Sequence, residues 1–517
     1  AKVEYCTGLY DEARQSAREV VENATSLVDK MDVVFTTMNL LSAQHQHDEA
    51  LDFGLGVLRQ LGQTFPLKPC KPGLAADFVK TKKALGKRTD DDILRLPRCT
   101  DDKVIATMRL LSAIAALAHI RSHSCAMLFS HVAFRIVRLT LSHGLTNASA
   151  HGFACFGGIY SVVGDHENAG RYGDVGLNLM RLLGARDVEC RVGVILGSSI
   201  TPFRDNLRRA GQELTESYRA GLETGDIAMA GLTRMLAIYV DYYSGERLPI
   251  VMKQCDELID QMSHFKADTV ARLTAIYRGM ISNLTGDSST RNTNPAKLER
   301  IPVPPGKEIT EENKVIENRV HYMSECFLQL HFEDWENLES NIKILTKQHP
   351  IRPGSFLHFV SSYTIAMCYF ELFKVTGKRK YLKKAKELWR VLRKYEVDGN
   401  PNVGHLVRLC EAEIMSFSQQ QPETVKIAYD TAISTSEMWG DVRNKSRCNE
   451  LACKYFMRQG DYPLAKKYLE AALADYDRWG AVAKVSWLRR RYAELLEGSV
   501  APRRMQPRKK SSRLLME

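Results

Sequence analysis

The sequence predicts an all-α protein built from stacked antiparallel helix pairs. Apolar residues recur at intervals of three and four along most of the chain, which is the pattern of amphipathic helices. Short polar turns join successive segments of this kind, and the C-terminal part repeats with a measurable period. The 517 residues, 44% hydrophobic and 26% charged, have the composition of an ordinary folded protein. That length corresponds to roughly three domains or to one long repeat array.

The first helical hairpin is predicted from two segments near the N-terminus. "MDVVFTTMNLLSAQ" (31–44) and "DEALDFGLGVLRQLG" (48–62) are both amphipathic, and only "HQH" separates them. We therefore assign residues 1–64 to one or more helical hairpins. Residues 65–101 contain four prolines, so we expect an irregular insertion with one helix around 74–85.

The rest of the chain divides into two arrays. Residues 102–284 contain further helical hairpins and form the predicted N-terminal array. "RVGVILG" (191–197) has strand-like composition, but it stands alone among helices, and we interpret it as a short helix. Residues 285–312 are polar and Pro-rich, which predicts a linker. A C-terminal array (313–497) and a basic, disordered tail (498–517) follow.

The repeat period comes from an internal alignment of the C-terminal array. When the segment from Pro422 is set under the segment from Tyr462, Trp439 aligns with Trp479 and Gly440 with Gly480. The offset of 40 residues lies between tetratricopeptide and HEAT repeat lengths. One helix pair of that size cannot bury its apolar face alone, so its neighbours must stack on it. Trp439 and Trp479 should then occupy equivalent buried positions where successive hairpins stack. The predicted fold is a tetratricopeptide-like superhelix with about 40 residues per repeat.

Composition also bears on location and partners. The most apolar run, "LLSAIAALAHI" (110–120), is too short for a membrane span, and we interpret it as a buried helix. The N-terminus lacks the apolar core of a signal peptide. Twelve dispersed cysteines without a C-x-x-C pair are typical of reduced thiols, so we predict a cytoplasmic protein. The net charge of +11 is too mild to imply nucleic-acid binding. The chain starts without methionine, as a segment of a longer protein would.

Asp52-Phe53-Gly54 belongs to a D-F-G-L-G string like the magnesium-binding motif of protein kinases. A kinase also needs an H-R-D catalytic loop and an A-P-E motif, and neither string occurs in the sequence. We interpret the string as part of an amphipathic helix. Phe53, Val57, Leu58 and Leu61 would face the core, and Asp52 would face water or a neighbouring base.

Three Gly-Lys pairs, at Gly86, Gly306 and Gly377, could suggest phosphate-binding loops. A P-loop also needs a second glycine five residues earlier and Ser or Thr directly after the lysine. None of the three pairs meets both requirements, so we expect ordinary turns.

Histidines and carboxylates provide the remaining candidate ligands. His119 and His123 lie one helical turn apart, with Cys125 nearby, and could face one metal ion. No further ligand is evident, so we interpret them, together with His45 and His47 at a turn, as structural or solvent-facing. Two acidic runs, Asp90-Asp91-Asp92 and Asp101-Asp102, precede apolar helical runs and are expected to cap those helices.

Aromatic and basic residues interleave near the C-terminus, which could indicate a nucleic-acid surface. They are Tyr476, Trp479, Trp487, Arg489, Arg490, Arg491 and Tyr492. The interpretation we favour is an amphipathic terminal helix with a basic, solvated face.

Five strings in this order resemble the helical-repeat region of very large multi-domain signalling proteins. They are "QHDEALDFGLGVLRQLGQTFP", "DDDILRLPRCTDDKVIATMRLL", "LSHGLTNASAHGFACFGGIYSVVGDHENAGRYGDVGLNLMRLLGAR", "ESYRAGLETGDIAMAG" and "YLEAALADYDRWGAVAKVSWLRRRYAELL". In that family a protein-kinase-like domain and an AAA-type ATPase domain precede this region, and GAF and histidine-kinase domains often follow. The resemblance covers most of residues 9–496 and consists of helix-packing patterns. It implies that nucleotide chemistry lies in flanking domains.

Two stretches depart from the family. The chain ends in "EGSVAPRRMQPRKKSSRLLME" instead of continuing toward a sensor domain, and "NTNPAKLERIPVPPGKE" is more polar than the family pattern.

The sequence therefore predicts a non-catalytic scaffold or regulatory region that mediates protein–protein or interdomain contacts in an ATPase/kinase-type signalling protein. We expect no catalytic, cofactor-binding or metal-ligating residues. The alternatives are part of a kinase or AAA ATPase polypeptide whose nucleotide-binding domain lies outside this chain and, more weakly, a nucleic-acid-binding repeat. The expected partners are proteins or flanking ATPase and kinase domains, without a membrane span.

Overall fold

The described part of the chain is predominantly helical in a computed structural model. The structure describes residues 1–6, 9–23, 30–43, 46–66, 70–286, 294–302, 309, 311–348, 353–418 and 420–498. No β-strand occurs within these ranges, and a single isolated bridge joins Arg98 to Leu145. The all-α prediction is confirmed.

The N-terminal third contains eight helices. They are α1 (Lys2–Cys6), α2 (Tyr10–Asn23), α3 (Met31–Ala43), α4 (His47–Gln60), α5 (Lys71–Leu85), α6 (Asp90–Leu94), α7 (Asp102–Ile120) and α8 (Ser122–His143). The hairpin predicted over 31–62 is the pair α3 and α4, and the helix predicted around 74–85 is α5. The segment at 110–120 lies in α7, where Leu110 to Ala118 are all buried as predicted.

Eight further helices complete the predicted N-terminal array (102–284), which we call the first array. They are α9 (Asn147–Val163), α10 (His166–Leu183), α11 (Arg186–Ile195), α12 (Thr201–Arg204), α13 (Leu207–Thr224), α14 (Ile227–Tyr243), α15 (Leu248–His264) and α16 (Asp268–Thr285). A π-helical turn, Leu196–Ile200, joins α11 to α12. The strand-like segment 191–197 is therefore helical, as predicted.

Ten helices form the C-terminal part. They are α17 (Glu311–Phe332), α18 (Trp335–Gln348), α19 (Phe356–Thr376), α20 (Arg379–Val397), α21 (Gly404–Met415), α22 (Pro422–Trp439), α23 (Val442–Gln459), α24 (Tyr462–Trp479), α25 (Val482–Arg491) and α26 (Ala493–Glu497). Helices α22 and α24 both have 18 residues and end at the paired glycines. Gly440 has φ +79° and Gly480 φ +91°, the left-handed conformation that lets a glycine end a helix.

The two predicted arrays share one hydrophobic core, which runs from Leu85 to Leu495. Asn402 of the C-terminal part accepts from the Leu207 amide at 2.8 Å and donates to the Pro202 carbonyl at 2.8 Å. The Trp479 indole donates to the Glu246 carbonyl at 3.1 Å. The arrays therefore pack side by side instead of standing apart at the linker.

The predicted linker is partly built into this core. Ala296 and Leu298 are buried, and the Asn283 side chain donates to the Lys297 carbonyl at 2.7 Å. Residues 287–293, 303–308 and 310 of the linker, and the tail after Gly498, lie outside the described residues.

Three helical segments are long and apolar enough to cross a membrane, judged by length and composition alone. They are α7, the Cys125–His143 part of α8, and α19, and 67%, 44% and 78% of their most apolar windows are buried inside the fold. The expected absence of a membrane span and the cytoplasmic location stay predictions.

Candidate functional site

The kinase-like string lies within α4, as predicted, but its orientation differs from the expectation. Asp52 is exposed, whereas Phe53, predicted to face the core, is 38% exposed. The buried positions of this helix are Ala50, Leu51, Gly54, Val57 and Leu58. Gly54 faces inward, where α4 packs closely on Met38. A Cβ atom at residue 54 would lie 2.9 Å from the Met38 Cε atom.

Two of the three Gly-Lys pairs are helix ends. Gly86 ends α5 with φ +58°, and Gly377 ends α19 with φ +66°. Each glycine takes a backbone conformation that other residues rarely adopt. Gly306 lies outside the described residues.

The candidate metal ligands do not form a site within the described part of the chain, where no group of three or more His, Cys, Asp or Glu residues could hold a metal ion. His119 packs on Phe129, with 5.5 Å between the ring centroids, and burial lowers its pKa to about 4. His47 lies 3.2 Å from the Ser42 hydroxyl. The side chains of His45 and His123 lie outside the described residues.

The two acidic runs cap helices, as predicted. The Asp92 carboxylate accepts from the Thr89 amide at 2.8 Å, and the Thr89 hydroxyl accepts from the Asp92 amide at 3.2 Å, at the start of α6. Asp101 accepts from the Lys103 and Val104 amides at the start of α7.

The aromatic and basic residues near the C-terminus separate into two groups. Tyr476 and Trp479 are fully buried and Tyr492 is 8% exposed, so these rings are not available for base stacking. Arg489, Arg490 and Arg491 are exposed on α25, which is the basic, solvated face that we predicted.

An open groove on the first array is the candidate binding site. Its volume is about 340 Å³, and it lies between α3 on one side and α7, α9, α11 and the α13–α14 turn on the other. Its polar wall contains Asp32, Arg109, Asp187, Arg191, Glu223 and Asp226. Helices from successive hairpins thus contribute side chains to one continuous surface.

One arginine of the groove is fixed by the N-terminal hairpin. Arg109 lies 3.2 Å from the Asp32 carboxylate, and its guanidinium group stacks 4.6 Å from the centroid of the Phe35 ring. Its side chain is 44% exposed and so remains available to a ligand in the groove.

The second arginine is held by a chain of polar contacts. The Nε atom of Arg191 donates to Asp226 at 2.7 Å, and its Nη1 atom donates to the Ser112 hydroxyl at 3.2 Å. The Ser112 hydroxyl lies 2.9 Å from His151 Nδ1. Burial, and secondarily the charge of Arg191, lower the pKa of His151 well below its usual value, so that the ring is neutral. These contacts use two of the five N–H donors of the guanidinium group.

The groove is acidic although the chain as a whole is basic. Its lining contains four carboxylates and two guanidinium groups, and Arg186 pairs with Glu223 at the edge. Asp187 is exposed and accepts from the Asn147 side chain at 2.7 Å. Among the described residues, Asp187 has no cationic partner within ion-pair distance. A bound segment that carries Lys or Arg would therefore find a favourable partner here.

A chain of buried ion pairs is the largest cluster of titratable groups in the described structure. It runs through Glu413, Lys374, Glu371, Arg447, Glu450, Lys454, Lys484 and Glu333. Lys374 bridges Glu371 at 2.9 Å and Glu413 at 2.6 Å. Four carboxylates face four cations, so the cluster is electrically balanced.

The same cluster joins helices that are distant in sequence. Its side chains come from α19, α21, α23, α25 and the turn after α17. Tyr429 donates to Glu413 and Tyr476 donates to Glu450, both at 2.7 Å, which satisfies carboxylate oxygens away from water. All these side chains are at most 11% exposed, so the cluster serves packing rather than ligand binding.

Sequence reasoning missed this cluster because it treated charges as solvent-facing. A signal was nevertheless present in α23. Arg447, Glu450 and Lys454 follow one another at three and four residues, in phase with the apolar Leu451 and Tyr455, so one helix face had to bury charges.

Comparison of the chain with models of known protein families and with curated proteins finds no match in either set.

Proposed function

We propose that this chain is a non-catalytic, tetratricopeptide-like helical-repeat scaffold with about 40 residues per repeat. It binds an extended segment of a partner protein in the groove of its first array, and the segment carries Lys or Arg. The observation that carries the proposal is that Arg109 on α7 and Asp187 and Arg191 on α11 line one open surface.

The groove has the physical properties that binding a peptide requires. Arg191 is held by Asp226 and Ser112 before any ligand arrives, so little side-chain entropy is lost when its free N–H groups bind a peptide carbonyl. Asp32 and Glu223 are 87% and 62% exposed and can meet cationic side chains.

The partner we propose is a flanking ATPase or kinase module of a signalling protein, in agreement with the family resemblance of the sequence. The capping positions of the acidic runs and the helix-end positions of Gly86 and Gly377 support a non-catalytic role. The gene sequence on both sides of this segment tests this part, because an upstream P-loop ATPase would support it and unrelated flanking domains would contradict it.

Peptide binding to the groove is tested with the full chain and fluorescein-labelled peptides of about ten residues that span the groove in extended form. One peptide alternates Lys with Ser, and a second alternates Gln with Ser. Fluorescence anisotropy at low ionic strength should show tighter binding of the Lys peptide to wild type. The double variant Asp187→Asn, Glu223→Gln should weaken that binding by about fivefold to tenfold.

A matched control removes two exposed carboxylates from α15, through Glu257→Gln and Asp260→Asn. This variant should bind the Lys peptide as wild type does. An equal loss in both double variants would assign the binding to general charge attraction and would contradict a groove-specific site.

A further inference from the structure

Helix α20 has the most one-sided charge of the described helices. Its 19 residues include eight basic and two acidic side chains. Since the whole chain has a formal charge of +11, this one helix holds more than half of the excess. Helix α22 does not share this property, because it has three acidic residues and one lysine.

The basic side chains follow one stripe along the helix. Arg379, Lys383, Lys386, Arg390 and Lys394 are spaced by three or four residues and define what we call the basic face of α20. Lys386 is half-buried, and the other four are exposed. At a rise of about 1.5 Å per residue, the stripe is roughly 22 Å long.

Neighbouring acidic groups leave this charge largely uncompensated. Within the part of the chain that the structure describes, ion pairs reach only one of the eight basic side chains of α20, Arg393, which pairs with Glu396 and Glu411. Lys380 and Lys384 lie over the rings of Tyr381 and Tyr369, at 4.9 and 5.1 Å. Like charges one turn apart repel, so the stripe lowers helix stability, and folding alone does not explain it.

The opposite side of the helix is committed to the core. Tyr381, Ala385 and Leu392 are at most 2% exposed. A helix that lies in a membrane surface needs an apolar face free to enter the lipid, and α20 has none. Trp389 and Tyr395 are half-buried on the core side, so the basic face also lacks exposed rings on which bases could stack.

We propose that the basic face of α20 is a docking surface for an acidic segment of a partner protein, rich in Asp and Glu. Charge complementarity selects this occupant, and lysine, a point charge on a flexible stem, tolerates carboxylates in varied geometry. Val375 and Val397, 53% and 75% exposed near the two ends of the helix, provide apolar contacts beside the charges. A stripe of roughly 22 Å matches about seven residues of extended chain. This surface is separate from the acidic groove, and the inference does not rest on the groove.

The test measures binding of the full chain to a fluorescein-labelled peptide of about 12 residues, alternating Glu with Ser, long enough to cover the stripe. Lys383→Glu with Arg390→Glu reverses two charges of the basic face. Lys467→Glu with Arg478→Glu makes the same change at exposed positions of α24. We expect the α20 variant to bind at least about tenfold more weakly than wild type, and the α24 variant to bind within about twofold of wild type.

Further measurements complete the test. The milder pair Lys383→Gln, Arg390→Gln, which keeps the helical circular-dichroism signal, should give an intermediate loss. The groove variant Asp187→Asn, Glu223→Gln should bind the Glu peptide as wild type does, which separates the failure of this proposal from that of the groove. Equal losses in the α20 and α24 variants would overturn it. So would an α20 variant that still binds the peptide but loses binding to phosphatidylserine vesicles or to single-stranded oligouridine.

Discussion

The Nζ atom of Lys484 lies 3.1 Å from the Oε1 atom of Glu450, and neither side chain is more than 1% exposed. Glu450 also lies 3.1 Å from Arg447 and 2.9 Å from Lys454, so three cations converge on one carboxylate. Burial would raise the pKa of Glu450, but these cations lower it well below its usual value. Burial, together with the charges of Lys454 and Arg447, lowers the pKa of Lys484 to about 8 against the attraction of Glu450. Among the carboxylates of the cluster, only Glu450 has three cationic partners, and it keeps two of them when Lys484 is removed.

The first prediction contrasts the two partners. Glu450→Gln leaves three buried cations without their shared carboxylate, and we expect it to lower the free energy of unfolding by about 3–5 kcal/mol. Lys484→Met keeps the shape and packs against Trp487, whose ring centroid lies 4.4 Å from Nζ, so the expected loss is below about 1.5 kcal/mol. Urea unfolding followed by circular dichroism measures both. Equal losses in the two variants would contradict the expectation that removing the shared carboxylate costs more than removing one of its cations.

The second prediction concerns alkaline pH. Lys484 has a folded pKa of about 8 and an unfolded value near 10.5, so the unfolded chain binds more protons between these values. The cost of burying the ammonium group is complete below pH 8 and is relieved as pH rises toward 10.5. The stability of wild type relative to Lys484→Met should therefore increase from pH 8 to pH 10. Comparing the two proteins cancels the titrations that they share, and a difference that stays flat or falls would contradict the assigned shift.

The third prediction concerns acid pH. Burial would raise the pKa of Glu371, but Lys374, Lys454 and Arg447 lower it from 4.5 to about 2. A carboxyl with a lowered folded pKa stabilises the protein above pH 4.5, and this contribution is lost as pH falls toward 2. The stability of wild type relative to Glu371→Gln should shrink between pH 5 and pH 3. Urea unfolding at several pH values measures the difference, and a constant difference would show that Glu371 does not hold a lowered pKa.

The fourth prediction separates two tryptophans that align in the sequence. Trp479 is fully buried, so Trp479→Ala should cost about 3–5 kcal/mol. Trp439, which the repeat alignment predicts to be equally buried, is only half-buried. It stacks on His405, with 4.6 Å between ring centroids, and under the Arg208 guanidinium group at 5.5 Å. We expect Trp439→Ala to cost about 1–2 kcal/mol, from the loss of these contacts. Thermal melts of both variants check that Trp479→Ala lowers stability more than Trp439→Ala does. Equal losses would mean that the two sites are equivalent.

These two tryptophans also show how much of the structure the sequence predicts. Periodicity predicts the helices, and the shared glycines after Trp439 and Trp479 predict where two of them end. Periodicity does not predict what covers each helix from outside its own repeat. Trp479 is enclosed because α14 and the turn after it pack on it, with Tyr242 at 5.8 Å and the Glu246 carbonyl bonded to the indole. Trp439 faces Arg208 instead, because the N-terminal helices meet the C-terminal helices with different residues at these two positions.

The same limit explains why the sequence predicted neither the acidic groove nor the buried ion pairs. Asp32, Arg109 and Asp187 are ordinary surface charges in the sequence, and only the packing of α3 beside α7 and α11 brings them together. Arg447 and Glu371 are 76 residues apart and meet only when α19 packs on α23. Long-range contacts of this kind depend on how helices distant in sequence pack together, which no local pattern contains.

The last prediction concerns the kinase-like string, where the decisive residue is the glycine. Asp52 is exposed on α4, so Asp52→Asn should change stability by less than about 0.5 kcal/mol. Gly54 faces the core, and a side chain there would meet Met38 and Ile114, so Gly54→Val should cost about 1–3 kcal/mol through overpacking.

In a kinase, Asp52 would bind magnesium and its loss would abolish phosphate transfer. We expect no magnesium-dependent ATP turnover above background in wild type or in Asp52→Asn. Turnover in wild type that disappears in Asp52→Asn would contradict the scaffold function, because the conservative variant keeps the fold and removes only the charge.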